Sequence, residues 1–197
     1  SHGFTQPVAV AVPPQTAAGR MAAIETLASA LSLSEAGSAY GIWYSSSDGT
    51  STDSPNAPTV MTSGAVLLPK GQPPQGGWPV VAWAHGTVGI GDNCAPSRNP
   101  RSDRDAQYLN SWLKEGYAIV ATDYQGLGSP GPHPYMNSRA AAYSTLDSLR
   151  AALTTQSLGL SDLIVIVGQS QGAAAEFASA GFTYAYAPEL MLVGMVA

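Results

Sequence analysis

The stretch from Asp162 to Ala178 constrains the fold more than any other. Leu163, Ile164, Val165, Ile166 and Val167 form an unbroken apolar run rich in β-branched residues, the pattern of a strand buried on both faces. Gly168-Gln169-Ser170-Gln171-Gly172 follows without a spacer, and then Ala173-Ala-Ala-Glu-Phe-Ala178, which has helical composition. A strand that passes into a helix through so short a G-x-S-x-G turn must bend sharply and strain the backbone at its central serine. Residues two before and two after that serine crowd the neighbouring strand and helix, so glycine suits both places. The bend is expected to hold Ser170 Oγ above the edge of a sheet, at a helix N-terminus whose dipole favours developing negative charge. In a chain with 21 glycines the five-residue pattern alone is weak. The flanking strand and helix give it weight, and a plain Gly/Ser connection in another α/β protein is the alternative.

A chain of 197 residues suits one domain with a real core, and its 45% hydrophobic content excludes a disordered tail. Only 11% of residues are charged, against 21 glycines and 15 prolines, so the chain is loop-rich with an uncharged polar surface. The net charge of −5 argues against nucleic acid, since no basic stripe exists to neutralise phosphates. It equally disfavours an anionic membrane surface. No apolar run reaches the length of a membrane span, and no leader pattern is seen. The start, Ser1-His2-Gly3, reads as processed, and the surface composition points to a secreted or periplasmic protein. Cys94 is the only cysteine. It is either a small buried hydrophobe or the half of a disulfide whose partner lies outside this chain.

Two regions are expected: residues 1–38 as an N-terminal arm and helix, and 39–197 as the body. The arm is apolar with Pro7, Pro13 and Pro14. Thr16 to Leu33 has the spacing of a helix, with Met21, Ile24, Leu27, Ala28 and Leu31 on one face. Ala39 to Ser46 and Thr59 to Leu68 read as strands joined by a turn-rich loop. Pro79 to Ala84 reads as a third strand, and Ser102-Asp-Arg-Asp105 as a capped helix start with Gly116 at its end. Tyr117 to Thr122 is a fourth strand, Ser138 to Gln156 a helix, and Leu190 to Ala197 a last strand. Two early strands followed by alternating strands and helices imply a mostly parallel sheet with helices on both faces. His85, Asp123 and Ser170 then fall at the C-terminal ends of strands, on one edge.

Strand, G-x-S-x-G, helix is also the nucleophile elbow of an α/β-hydrolase. Acyl transfer by serine needs a nucleophile, a base, an acid that orients the base, and donors for the oxyanion. Ser170 is the nucleophile candidate, and the Gln171 N–H is one oxyanion donor. The second is Thr87, in the loop Trp83-Ala-His85-Gly86-Thr87, where glycine lets the backbone turn close to a substrate carbonyl. His85 is more readily a structural histidine bonding the loop backbone than a base, and His133 a rim or surface residue. Asp123 reads as a carboxylate anchoring a loop through backbone N–H groups, with the orienting acid as the rarer alternative. His85, Asp123 and Tyr124 are candidates for the rim of a substrate pocket. Asp147 and Asp162 are expected to be solvated or capping. In the hydrolase order the acid and the histidine come after the nucleophile, yet only 27 residues follow Ser170, with neither histidine nor aspartate among them. The expectation is an N-terminal portion, to about the sixth strand, completed by a further segment or a second chain.

Several motifs in order resemble the secretory lipase family related to yeast lipase A. They are Ala84-His-Gly-Thr87, Gly91-Asp-Asn-Cys-Ala-Pro-Ser97, Ala121-Thr-Asp-Tyr-Gln-Gly-Leu-Gly128, Pro130-Gly-Pro-His-Pro-Tyr135, Gly168-Gln-Ser-Gln-Gly172 and Tyr186-Ala-Pro-Glu-Leu190. The resemblance runs from about Ala39 onward. It implies an exported serine esterase or lipase acting on acyl esters, with no metal or other cofactor. It also implies that Ser170 is the nucleophile, that Thr87 and Gln171 lie where the oxyanion groups lie, and that Cys94 pairs with a cysteine in a later portion. Ala173 departs from the family, where a third small glycine is common. Another serine hydrolase, for aromatic, acetyl or peptide substrates, and a non-catalytic hydrolase-like domain are the alternatives.

Overall fold

The computed structural model describes residues 18–51, 57–85, 95–126, 138–168, 186–190 and 192–196. Within them, seven strands form one sheet: β1 (Met21–Thr26), β2 (Ala36–Ser47), β3 (Thr59–Pro69), β4 (Trp78–Ala84), β5 (Ala118–Thr122), β6 (Leu160–Gly168) and β7 (Leu192–Val196). Helix α1 (Asp103–Lys114) follows β4, and α2 (Ser138–Thr154) follows β5. The spatial order is β1-β2-β3-β5-β4-β6-β7. From β1 to β5 the neighbours are antiparallel, while β5, β4, β6 and β7 run parallel. The sheet is therefore mixed, and its parallel half carries the strand ends that the sequence singles out.

Residue alternation in the parallel strands makes two cores. Val80, Ala82, Ala118, Val120, Ile164 and Ile166 face α2, where Leu146, Leu149 and Ala152 meet them. Val81, Trp83, Ile119, Ala121 and Val167 face the other way, onto Leu109 and Leu113 of α1. Helices thus lie on both faces of an apolar sheet. Helix α1 begins as its sequence dictates: the Ser102 hydroxyl accepts the Asp105 N–H at 3.2 Å, and Asp103 and Asp105 sit in the positive first turn. Gly116, at φ +92°, closes it.

One expected element is absent. The helical spacing of Thr16 to Leu33 gives way to strand β1, whose Ala23 to Thr26 pair antiparallel with Tyr40 to Trp43 of β2. A 3-10 turn at Ser29–Leu31 follows. Three of the five apolar positions still reach a core: Leu27 is buried with Leu31 beside it, and Met21 packs on the α2 side, while Ile24 is 39% exposed. Met21 does so from an edge strand and Leu31 from a turn. A strand partner satisfies every second backbone group of this segment, and that tertiary gain outweighs the weak helix preference of Met, Ala and Glu. Since β1 joins the same sheet as the body, residues 21–38 pack with it as one unit.

Candidate active site

Strand β4 lies between β5 and β6, with Trp83 opposite Ala121 and Ala84 opposite Gly168. The chain therefore leaves β4 at His85, β5 at Asp123 and β6 at residue 169 from adjacent positions on one edge. Neighbouring strands are about 5 Å apart. Ser170, Gln171, Thr87, Cys94 and His133 lie outside the described residues.

The three described candidates meet, and all three are buried. The His85 ring stacks tilted on Tyr124 with centroids 4.2 Å apart. His85 Nε2 lies 3.3 Å from the Asp123 carbonyl oxygen, and the Tyr124 hydroxyl donates to the His85 carbonyl at 2.9 Å. The ends of β4 and β5 are thus tied by two side chains, each reaching to the other's backbone. Tyr124 stands at φ 72°, a left-handed conformation that costs a non-glycine residue about 1–2 kcal/mol. Its buried ring and its hydroxyl hold it there, and burial pushes the phenol well above its ordinary pKa.

Asp123 is 1% exposed. Its carboxylate accepts the Ser97 N–H at 2.9 Å, the Ser63 hydroxyl at 2.7 Å and the Ser97 hydroxyl. Its own N–H donates to the Ser63 carbonyl at 2.9 Å. The carboxylate thus fastens the segment 95–98 and strand β3 to the end of β5. Next along, Gln125 Oε1 accepts the Gly49 N–H at 3.1 Å and its amide donates to Asp48 at 2.8 Å. Partial burial opposes ionisation of Asp48, but hydrogen bonds from Thr50 and Gln125 outweigh it and hold the carboxyl below its ordinary value.

A cavity of about 370 Å³ opens beside this edge, lined by Trp83, Tyr108, Val167, Gly168 and Val196, with Arg104 and Asp105 at its polar side. It adjoins the residue from which the Gln169-Ser170 segment departs. Among the described residues no three His, Cys, Asp or Glu side chains converge as metal ligands. No described helix is long and apolar enough to cross a membrane.

Asp147 corrects an expectation. It is fully buried in α2 rather than solvated or capping. Its carboxylate accepts the Ser46 hydroxyl at 2.7 Å, the Tyr186 hydroxyl and an Arg150 N–H at 3.2 Å. Burial is the largest influence and raises its pKa, against the lowering effect of Tyr186, Ser46 and Arg150. Arg150 continues outward to Glu189 and donates to the Tyr186 carbonyl at 2.7 Å. Tyr186 stacks on Tyr143 with centroids 3.8 Å apart. This cluster binds the segment 186–190, which leads into β7, to α2 and β2. The readable signal was the run Ala140 to Leu149, small and apolar enough to be buried throughout, into which a carboxylate is set.

Residues 101–197 match the family described as secretory lipase. A secreted triacylglycerol lipase, LIP5 of Malassezia furfur, is 30% identical over 118 residues, covering 53% of this chain and 29% of that protein. Among solved structures, Candida antarctica lipase A in its closed state superposes with a TM-score of 0.72 at 19% identity, over 91% of this chain and 41% of that one. The rice cell wall degrading esterase LipA from Xanthomonas oryzae gives 0.71 at 23% identity, over 91% and 50%. The chain spans half the length of these proteins or less. The second half of the chain is thus similar in sequence to the secretory lipase family, and the fold is the α/β-hydrolase fold that these lipase and esterase structures share.

Proposed function

We propose that the chain is the nucleophile-bearing part of an exported carboxylic ester hydrolase. Ser170 attacks the ester carbonyl, and the N–H groups of Thr87 and Gln171 hold the oxyanion. An acyl-enzyme forms as the alcohol leaves with a proton, and water then releases the acid. One observation carries the reading. Ala84 and Gly168 are direct neighbours in register, so β4 and β6 end side by side at the C-terminal edge of a parallel sheet, and His85-Gly86-Thr87 and Gln169-Ser170-Gln171 are the residues that follow them in the sequence. The secretory lipase match supports the ester substrate and the export.

His85 has the wrong setting for the base. It is 2% exposed and packed on Tyr124, in the structural role of a strand-end tie. The base and its acid come from a further portion of the enzyme, to which Cys94 is bonded. The solved relatives, about twice as long as the matched part, support this. Hydrolysis of p-nitrophenyl esters of short and long acyl chains by the natural gene product is the test. Ser170→Ala is expected to lower kcat by about 10⁴-fold or more. Unchanged hydrolysis would contradict the reading.

A further inference from the structure

Tyr186 is the first described residue after Gly168 ends β6. In the sequence, Ser170 therefore lies between two fixed points. The near one is the sheet, where Gly168 pairs with Ala84. The far one is the cluster around Asp147. The Tyr186 hydroxyl donates to the Asp147 carboxylate, accepts the Ser47 N–H at 3.2 Å and lies 2.9 Å from Ser47 Oγ. Its ring stacks on Tyr143, and the Arg150 guanidinium lies over it, 5.0 Å from its centre. Burial, with Asp147 beside it, raises the pKa of the Tyr186 phenol, so it stays protonated and keeps donating.

Stability alone does not account for these groups. Ala187 and Leu190 already bury the segment in the α2-side core, through contacts that have no direction. A buried carboxylate beside an arginine contributes little net stability, and apolar residues in its place often do as well. What the hydrogen bonds to β2 and α2 add is one position for Tyr186. A serine in a G-x-S-x-G turn is strained, and such strain persists only where the surrounding structure over-determines it. We infer that the Asp147, Tyr186 and Ser47 cluster is a positioning device for the nucleophile, with Tyr186 as the positioning residue that holds the far end of the segment bearing Ser170. The inference rests on the functional reading above and names what keeps its serine in place. Tyr186 touches no substrate; it acts through the chain that joins it to Ser170.

The test is Tyr186→Phe in the natural gene product, which removes the hydroxyl and keeps a ring to stack on Tyr143. The readouts are kcat and KM for p-nitrophenyl butyrate and the rate at which a fluorophosphonate labels Ser170. The variant is expected to lose about 10-fold in kcat and in labelling rate, with KM changed by less than about twofold. Leu113→Val, which trims a buried side chain of α1 on the opposite face of the sheet, controls for general destabilisation and is expected to keep the parent's kcat. Ser47→Ala carries the test if Tyr186→Phe fails to fold, with a loss of about 3-fold expected. Parent-like kcat and labelling in the Tyr186 variant, an equal loss in Leu113→Val, or a rise in KM alone would overturn the inference. A parent whose Ser170 takes no label defeats the catalytic reading, and this inference falls with it. A labelled parent beside an unaffected variant defeats this inference alone.

Discussion

Asp123 shows how the strand ends are held. It is a buried carboxylate with three donors and no base to orient among the described residues. Asp123→Ala is expected to leave Ser63 and Ser97 donors unpaired in the interior, destabilising the fold by about 3 kcal/mol in urea denaturation. Asp123→Asn, which keeps one acceptor oxygen, is expected to cost less. Equal stability of the alanine variant and the parent would show that the anchor is dispensable. The sequence made loop anchoring legible for Asp123, because an aspartate at the end of a buried strand has backbone donors close by. Its partners were not legible. Ser63 lies 60 residues away and Ser97 lies 26 away, and such contacts leave no period in the chain. The same holds for Tyr124, whose left-handed backbone has no signature in a tyrosine.

At the scale of elements, the turn after β2 locks onto the start of α2. A Cβ on Gly49 would lie 2.1 Å from the Ala140 Cα and 2.4 Å from its nitrogen, and backbone cannot yield to that. Arg139 donates to the Gly49 carbonyl at 2.8 Å, and Gln125 holds its N–H. Gly49→Ala is expected to separate this contact and lower stability by roughly 2–3 kcal/mol, read as a drop in Tm. An unchanged Tm would mean that the contact is loose. Between α2 and the segment 186–190, Arg150 is the clamp. Its hydrogen bond holds the Glu189 carboxyl below its ordinary value of 4.5. A lowered folded pKa gives stability that is present above the unfolded value and lost as pH falls through the folded one. The Glu189 side chain is 54% exposed, so Glu189→Gln is expected to cost less than about 1 kcal/mol at pH 7. That difference from the parent is expected to vanish toward pH 3, and a difference that persists there would assign the effect to packing. Asp147 carries the opposite sign: burial raises its pKa, so its contribution to stability falls as pH rises. Most elements were legible here, since continuous apolar runs fixed β4, β5 and β6, and a capped start fixed α1. Strand β1 was not, because Met-Ala-Ala-Ile-Glu-Thr has helical spacing and becomes a strand only when β2 offers an edge.

For the whole molecule, one arrangement organises the rest. Parallel strands β5, β4 and β6 end together, and the loops that leave them hold every candidate of the catalytic reading. Alternating strands and helices, with the glycine-rich stretch that follows β6, made that arrangement legible in the sequence. The antiparallel half, β1 to β3 with β5, was less so, because strand direction follows from which edges meet in space. The exposure of Leu163 on β6 and of Val193 on β7 was not legible, because a continuous apolar run reads as a strand buried on both faces. The account's central claim is that Ser170, two residues past the end of β6 in the sequence, is an activated nucleophile. The most direct measurement is the mass of the peptide containing Ser170 after the natural gene product meets a fluorophosphonate. The account predicts one stoichiometric phosphonyl adduct on Ser170, abolished by Ser170→Ala. An unmodified Ser170 in the whole folded protein, or an adduct on another serine, would contradict it.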